Sequence, residues 1–200
     1  MPDTGAPWNI PYVAGTDLVR DWPTDSQTLA EAVADGLDAA GGLVAVKHAL
    51  FTGTQTNSTA AGANFAVTDL SITHTLADAS NKLIISAYFG AAANTQQEAS
   101  VGIAVADDGT LIGVGDAAGS RSRTSAGGRV AGTQDNLTVT MPSITFVYEP
   151  GDTTSHTYTV RAINIDTSTQ TVYINRVEDN SDFVNRPLAS SALVIQEVKV

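Results

Sequence analysis

The sequence predicts an all-β chain: one antiparallel β-sandwich, jelly-roll-like in its strand count, preceded by an extended N-terminal arm and one short α-helix. Three features predict it. From residue 43 onward apolar and polar residues alternate with the period of two that a half-buried strand requires. The alternating runs are separated by turn chemistry such as Asp107-Asp108-Gly109, Pro150-Gly151-Asp152 and Asp166-Thr167-Ser168. Helical spacing is confined to residues 25–40. The chain's 200 residues suit a single well-buried domain with a small attachment, and the expected division is residues 1–42 as arm and helix and 43–200 as sandwich.

In the arm, four of the seven prolines (Pro2, Pro7, Pro11 and Pro23) favour extended backbone over helix. Between them stand Trp8, Ile10, Tyr12 and Trp22, which an extended segment cannot bury against itself. Either they fold back onto the domain or they are docking anchors that slot into another subunit of an assembly. In the helix, Thr24 or Asp25 can cap the first turn, and Thr28 and Glu31 have capping-box spacing. Gly41-Gly42 ends the helix. Leu29, Val33 and Leu37 form one apolar stripe that needs a cover, from the sandwich or from copies of itself in a short bundle.

The strands expected are Leu43–Phe51, Phe65–Leu76, Lys82–Ala91, Ser100–Ala106, Thr110–Gly115, Val139–Glu149, Thr154–Ile165, Thr171–Val177 and Ala192–Val200. Roughly eight or nine strands joined by short turns point to a sandwich or jelly roll. Within them, Leu83, Ile85, Ala87 and Phe89 share a core face, leaving Ile84 and Tyr88 on the other. Tyr158, Val160 and Ala162 likewise leave Ile163 and Ile165 opposite, and Tyr173 opposes Val172 and Ile174. A second apolar face suggests burial by neighbouring subunits, so Ile84, Tyr88, Ile163, Ile165 and Tyr173 are the expected subunit interface.

Composition excludes several classes of function. Acidic residues outnumber basic ones 21 to 10, for a net charge of −11, so a phosphate backbone is repelled and nucleic acid is not an expected partner. With no cysteine there is no disulfide framework and no thiolate site. The opening MPDTGAPWNIPYVAG has neither the basic nor the apolar region of a secretion signal. No apolar run reaches bilayer length, so membrane insertion is not expected.

No catalytic constellation emerges. His48, His74 and His156 are far apart, and each is expected at a surface or strand edge; the alternative is a ring of three copies holding an ion on a symmetry axis. Asp107, Asp108 and Asp152 could serve calcium, but they lack the alternating acidic pattern of a dedicated loop and are expected to be β-turn residues. Glu149, Asp166, Glu178 and Asp179 show no spacing that pairs them as glycosidase carboxylates. No G-x-S-x-G turn accompanies the serines. Arg121, Arg123 and Arg129 fall in a Gly/Ser-rich stretch from Ala117 to Gly132, expected to be a solvated loop. No metal, cofactor or enzymatic activity is expected.

The segments SITHTLADASNKLIISAYFGA, SITFVYEPGDTTSHTYTVRAINIDTSTQTVYINRV and SSALVIQEVKV together resemble the C-terminal domain of tail-fibre-like and other virion-surface proteins of phages, especially marine ones. The matching pieces are Thr73–Ile85, Gly151–Val160, Thr171–Arg176 and Ser190–Val198, in order over roughly residues 70–200. The opening PWNIPYVAGTDLVRDWPTDSQTLAEAVADGL is similar to the N-termini of small phage minor tail or head-fibre proteins, which attach to the particle by that end. The resemblance implies a homotrimeric jelly roll of the tumour-necrosis-factor-like kind, displayed on a virion surface after assembly in the host cytoplasm. Its partners would be further copies, other tail or capsid proteins and a host cell-surface glycan. The chain has no collagen-like or coiled shaft, which favours a short fibre, spike or decoration protein. The competing expectations are a carbohydrate-binding module and, last, a polysaccharide depolymerase.

Overall fold

The computed structural model describes residues 27–33, 36, 42–93, 100–129, 139–179 and 181–200. The chain divides into two compact units, Met1–Gly42 with Lys199–Val200, and Leu43–Val198. In the first, residues 27–33 are helical and Gln27 donates to Glu31 one turn on, at 2.8 Å. Leu29 is half-buried and Val33 exposed. Leu37 and the four arm residues Trp8, Ile10, Tyr12 and Trp22 lie outside the described residues.

The second unit is all β in its described residues. Its strands are β1 (Leu43–Phe51), β2 (Gln55–Thr59), β3 (Asn64–Thr75), β4 (Lys82–Tyr88), β5 (Ala91–Ala93), β6 (Ser100–Asp107), β7 (Thr110–Ile112), β8 (Ala126–Arg129), β9 (Ser143–Tyr148), β10 (Ser155–Asn164), β11 (Gln170–Ile174) and β12 (Ser191–Val198). One sheet runs β1-β12-β4-β9; a second runs β3-β10-β6, with β7 and β8 sharing the outer edge of β6. A small third sheet runs β2-β11-β5. Every pairing is antiparallel.

The core is made by alternate residues. Leu83, Ile85 and Ala87 of β4 and Leu193 and Ile195 of β12 join Val101, Ile103 and Val105 of β6 and Tyr158, Val160 and Ala162 of β10 in one buried cluster. The core faces read from the sequence for β4, β10 and β11 are those observed. Two glycines set the approach of β6 to β8. A Cβ on Gly102 would stand 2.4 Å from Thr124 Cγ2, and one on Gly127 would stand 3.0 Å from Gly102 Cα. Gly102→Ala therefore overpacks a site with no room to give. We expect it to lower the unfolding free energy by about 1–3 kcal/mol in a urea titration, whereas Gly128→Ala, with open space around it, leaves the midpoint near wild type.

Three expectations change. Polar β2, QTNST, carries no apolar alternation and is not legible as a strand, yet it pairs with β11 from Thr59↔Gln170 to Gln55↔Ile174. Part of the supposed solvated loop is strand β8: its glycines let the backbone lie close against β6, so Arg129 belongs to a sheet, while Arg121 and Arg123 remain exposed. Phe65–Leu76 does not keep a single phase. Asp69 adopts φ 58 where β3 bulges opposite Val160, so Phe65 and Val67 point inward before it, and Leu70, Ile72 and His74 after it. His74 is consequently buried instead of lying at the surface.

Candidate functional site

The bulge at Asp69 delivers His74 to the space between the sheets, directly across the ladder from His156 of β10. Cross-strand partners point to the same side of a sheet, so both rings sit in one tier at the sandwich end formed by the β3–β4, β6–β7 and β9–β10 connections. The facing sheet supplies Glu197 of β12 and Tyr148 of β9 to the same tier.

Glu197, 1 % exposed, accepts three hydrogen bonds: from the Ala77 N–H at 2.8 Å, Asn81 Nδ2 at 2.6 Å and His74 Nε2 at 2.8 Å. Burial alone would raise its carboxyl, but the bonds from Asn81, Ala77 and His74 outweigh burial and hold it below its ordinary value. His74 Nδ1 and Asn81 Oδ1, both buried, have no protein partner among the described residues.

The second cluster lies on hairpin geometry. Asp108 and Gly109, with φ 46 and 90, form the two-residue turn between the paired Asp107 and Thr110. Asp108 also accepts from the Thr157 N–H at 3.0 Å, fixing the hairpin tip to β10. His156 Nδ1 lies 2.9 Å from Asp107 Oδ1 and 3.6 Å from Asp108 Oδ2, and its Nε2 lies 3.1 Å from Asp152 Oδ1. The Tyr148 hydroxyl donates to Asp107 Oδ2 at 2.8 Å, linking the two sheets. The rings of His156 and Tyr158 stack with centroids 6.1 Å apart.

The hydrogen bond to Asp152 and the proximity of Asp107 raise the His156 pKa against the opposing effect of burial. Hydrogen bonds from Thr154, then from His156, hold Asp152 down at about 2. Burial, then the bond to Asp107, pushes the Tyr148 hydroxyl up to about 12. Asp107, Asp108 and His156 offer ligand atoms within 4.8 Å of one another, a spacing that suits a small cation. Both ring nitrogens, however, are already turned onto carboxylates, Asp107 and Asp152, so the ring is placed as a hydrogen-bond donor to them and not as a ligand.

The residues expected at a subunit interface separate in space. Ile84 and Tyr88 lie on the outer face of the β1-β12-β4-β9 sheet. Register places them in rows that run Val46–Gln196–Ile84–Val147 and Leu50–Ala192–Tyr88–Ser143. Val46, Leu50 and Val147 remain 52 %, 56 % and 59 % exposed there. These three are more exposed members of the face, and the alternation within β1 and β9 places them there as the residues that do not face the core. Ile163 does not belong with them: at 2 % exposure it is covered by its own chain. Ile165 is half-buried and packs toward Gly102 and Gly127. Tyr173, on the outer side of the small sheet, lies under the Arg176 guanidinium at 4.4 Å from its ring centroid. Glu149 is engaged by Lys82 at 2.7 Å and Asp179 by Arg186 at 2.5 Å.

No family model and no curated protein sequence matches the chain. Among solved structures, the chain is similar to one described as the structure of infectious bursal disease virus Gx strain, at 12 % identity and a TM-score of 0.34, over 78 % of this chain and 39 % of that one.

Proposed function

We propose that this chain is a non-enzymatic structural subunit of a bacteriophage particle: a short trimeric fibre, spike or decoration protein, held on the tail or capsid through residues 1–42. The observation that carries the reading is the outer face of the β1-β12-β4-β9 sheet. Its outer rows hold Val46, Ile84 and Val147 with Gln196, and Leu50, Ala192 and Tyr88 with Ser143; the row between them is Val194 with the polar His48, Ser86 and Thr145. In a chain with 21 acidic residues, not one of these positions is a carboxylate. Copies carrying a net charge of −11 repel one another, so a patch free of carboxylates is where they can join at the least electrostatic cost. The resemblance of the strand motifs and of the opening segment to phage virion proteins supplies the setting.

The test is the mass of the full chain in solution by light scattering after size exclusion, with immunolabelling of purified particles. Three times 20.6 kDa is expected, together with label on the virion. A chain that stays at 20.6 kDa and is missing from particles removes the reading. Val46→Glu with Val147→Glu places charge on the neutral face and is expected to shift the trimer to monomer without loss of the β signal in circular dichroism.

A second reading, adhesion to a host glycan, rests on one observation. Phe183 stands exposed on the β11–β12 connection, which is pinned by the Arg186–Asp179 ion pair, as loop aromatics do in sugar-binding sites. A glycan array with wild type and Phe183→Ala distinguishes a binder from a decoration protein, which retains no sugar.

A further inference from the structure

A neutral imidazole has one N–H and one bare nitrogen, and a bare nitrogen aimed at a carboxylate is repelled. His156 faces carboxylates on both sides, Asp107 at 2.9 Å from Nδ1 and Asp152 at 3.1 Å from Nε2, and only the doubly protonated ring can donate to both at once. Thr154 Oγ1 also stands 3.2 Å from Nε2, but its hydroxyl donates to Asp152 Oδ1 at 2.6 Å and so faces the ring as an acceptor. The β6–β7 hairpin presents Asp107 and Asp108, the β9–β10 turn presents Asp152, β9 presents Tyr148 and β10 itself presents Tyr158. From β3 the facing group is His74, whose Nε2 is already given to Glu197 of β12.

We propose that this end of the sandwich is a proton-operated latch, in which the His156 imidazolium holds the β6–β7 hairpin with one ring nitrogen and the β9–β10 turn with the other, and loss of its proton frees the turn. Once the ring is neutral, one of the two bonds loses its hydrogen, and Asp107, Asp108 and Asp152 are left facing one another without a cation. The hairpin stays tied to the opposite sheet by the Tyr148–Asp107 bond. Release is therefore local: the turn at Pro150–Thr154 opens while the core stays closed. A histidine held protonated in the fold stabilises it fully below the unfolded value of about 6.5, and that stability is lost as pH rises through the higher folded value. The latch is closed in mild acid and open in mild alkali.

The experiment is an NMR titration of the full chain from about pH 5 to about pH 9, following the three imidazoles and the backbone amides of residues 151–157. The His156 ring is expected to titrate above about 6.5, with the amides of Asp152 and Thr154 shifting at the same midpoint. Asp152→Asn, an exposed turn substitution that leaves the core untouched, is expected to lower that midpoint. A His156 midpoint at or below about 6.5 overturns the proposal, as do turn amides indifferent to the ring's titration. As a second readout, the wild-type melting temperature is expected to fall between about pH 6 and about pH 8.5, and His156→Gln to abolish most of that slope. An unchanged slope in His156→Gln assigns the effect to other groups and overturns the latch.

Discussion

Replacing Glu197 with alanine is expected to lower the unfolding free energy by about 3–5 kcal/mol at neutral pH, read from the urea midpoint at constant slope. Three donors converge on this one carboxylate in a space closed to water: the Ala77 N–H, Asn81 Nδ2 and His74 Nε2. Alanine strands all three and leaves a cavity where the side chain lay. Glu197→Gln keeps the volume and one acceptor oxygen, so it is expected to lose less than half as much. The pH dependence has a definite sign. A carboxyl held below its ordinary value in the fold contributes stability above the unfolded value, and that stability is lost as acid protonates it. The wild type should therefore lose stability toward acid more steeply than Glu197→Gln does. Equal acid slopes, or a loss below about 1 kcal/mol in Glu197→Ala, would show that the three donors find water or other partners instead.

How far the sequence announces this architecture depends on whether a residue's role follows from local alternation. Period two gave the core faces of β4, β10 and β11 directly, because Leu83, Ile85, Tyr158, Val160, Val172 and Ile174 obey the pleat. The same reading placed Ile84 and Tyr88 on the outer face. Parity alone misplaces Ile163, since the last three residues of β10 are covered on both faces by their own chain. The polar tier was hidden by one backbone torsion. Asp69 in the left-handed region reverses the phase of β3, so a residue that counts as outward from Phe65 is inward in fact. Asp is one of the few non-glycine residues that tolerate this torsion, and an Asp in mid-strand was the only available hint. Strand β2 was invisible because its five residues are all polar, and its partners lie more than a hundred residues away.

The opposite end of the sandwich rests on a single residue of the same kind, and Asn175→Ala is expected to remove about 3–5 kcal/mol of stability. Asn175 is fully buried and holds φ 62, a torsion that alanine adopts only with strain. Its Nδ2 donates to the carbonyls of Phe51 at 2.9 Å and Gly53 at 3.0 Å, and its Oδ1 accepts from the Ser191 hydroxyl at 2.5 Å. Its backbone adds the N–H to Gly90 O at 2.8 Å and the carbonyl accepting from Ala189 N–H at 2.9 Å. One asparagine thus joins the end of β1, the start of β12, the segment after β4 and the small sheet. The two causes of the loss separate by substitution. Asn175→Gly relieves the torsion but keeps none of the side-chain bonds, so it should be milder than alanine by about 1 kcal/mol. Asn175→Asp preserves the shape and the bond from Ser191, yet it turns an acceptor toward two carbonyls and buries a charge, so it should be at least as damaging as alanine. If glycine restored wild-type stability, the torsion alone would be at stake, and the two sheets would have to be joined through their packed side chains.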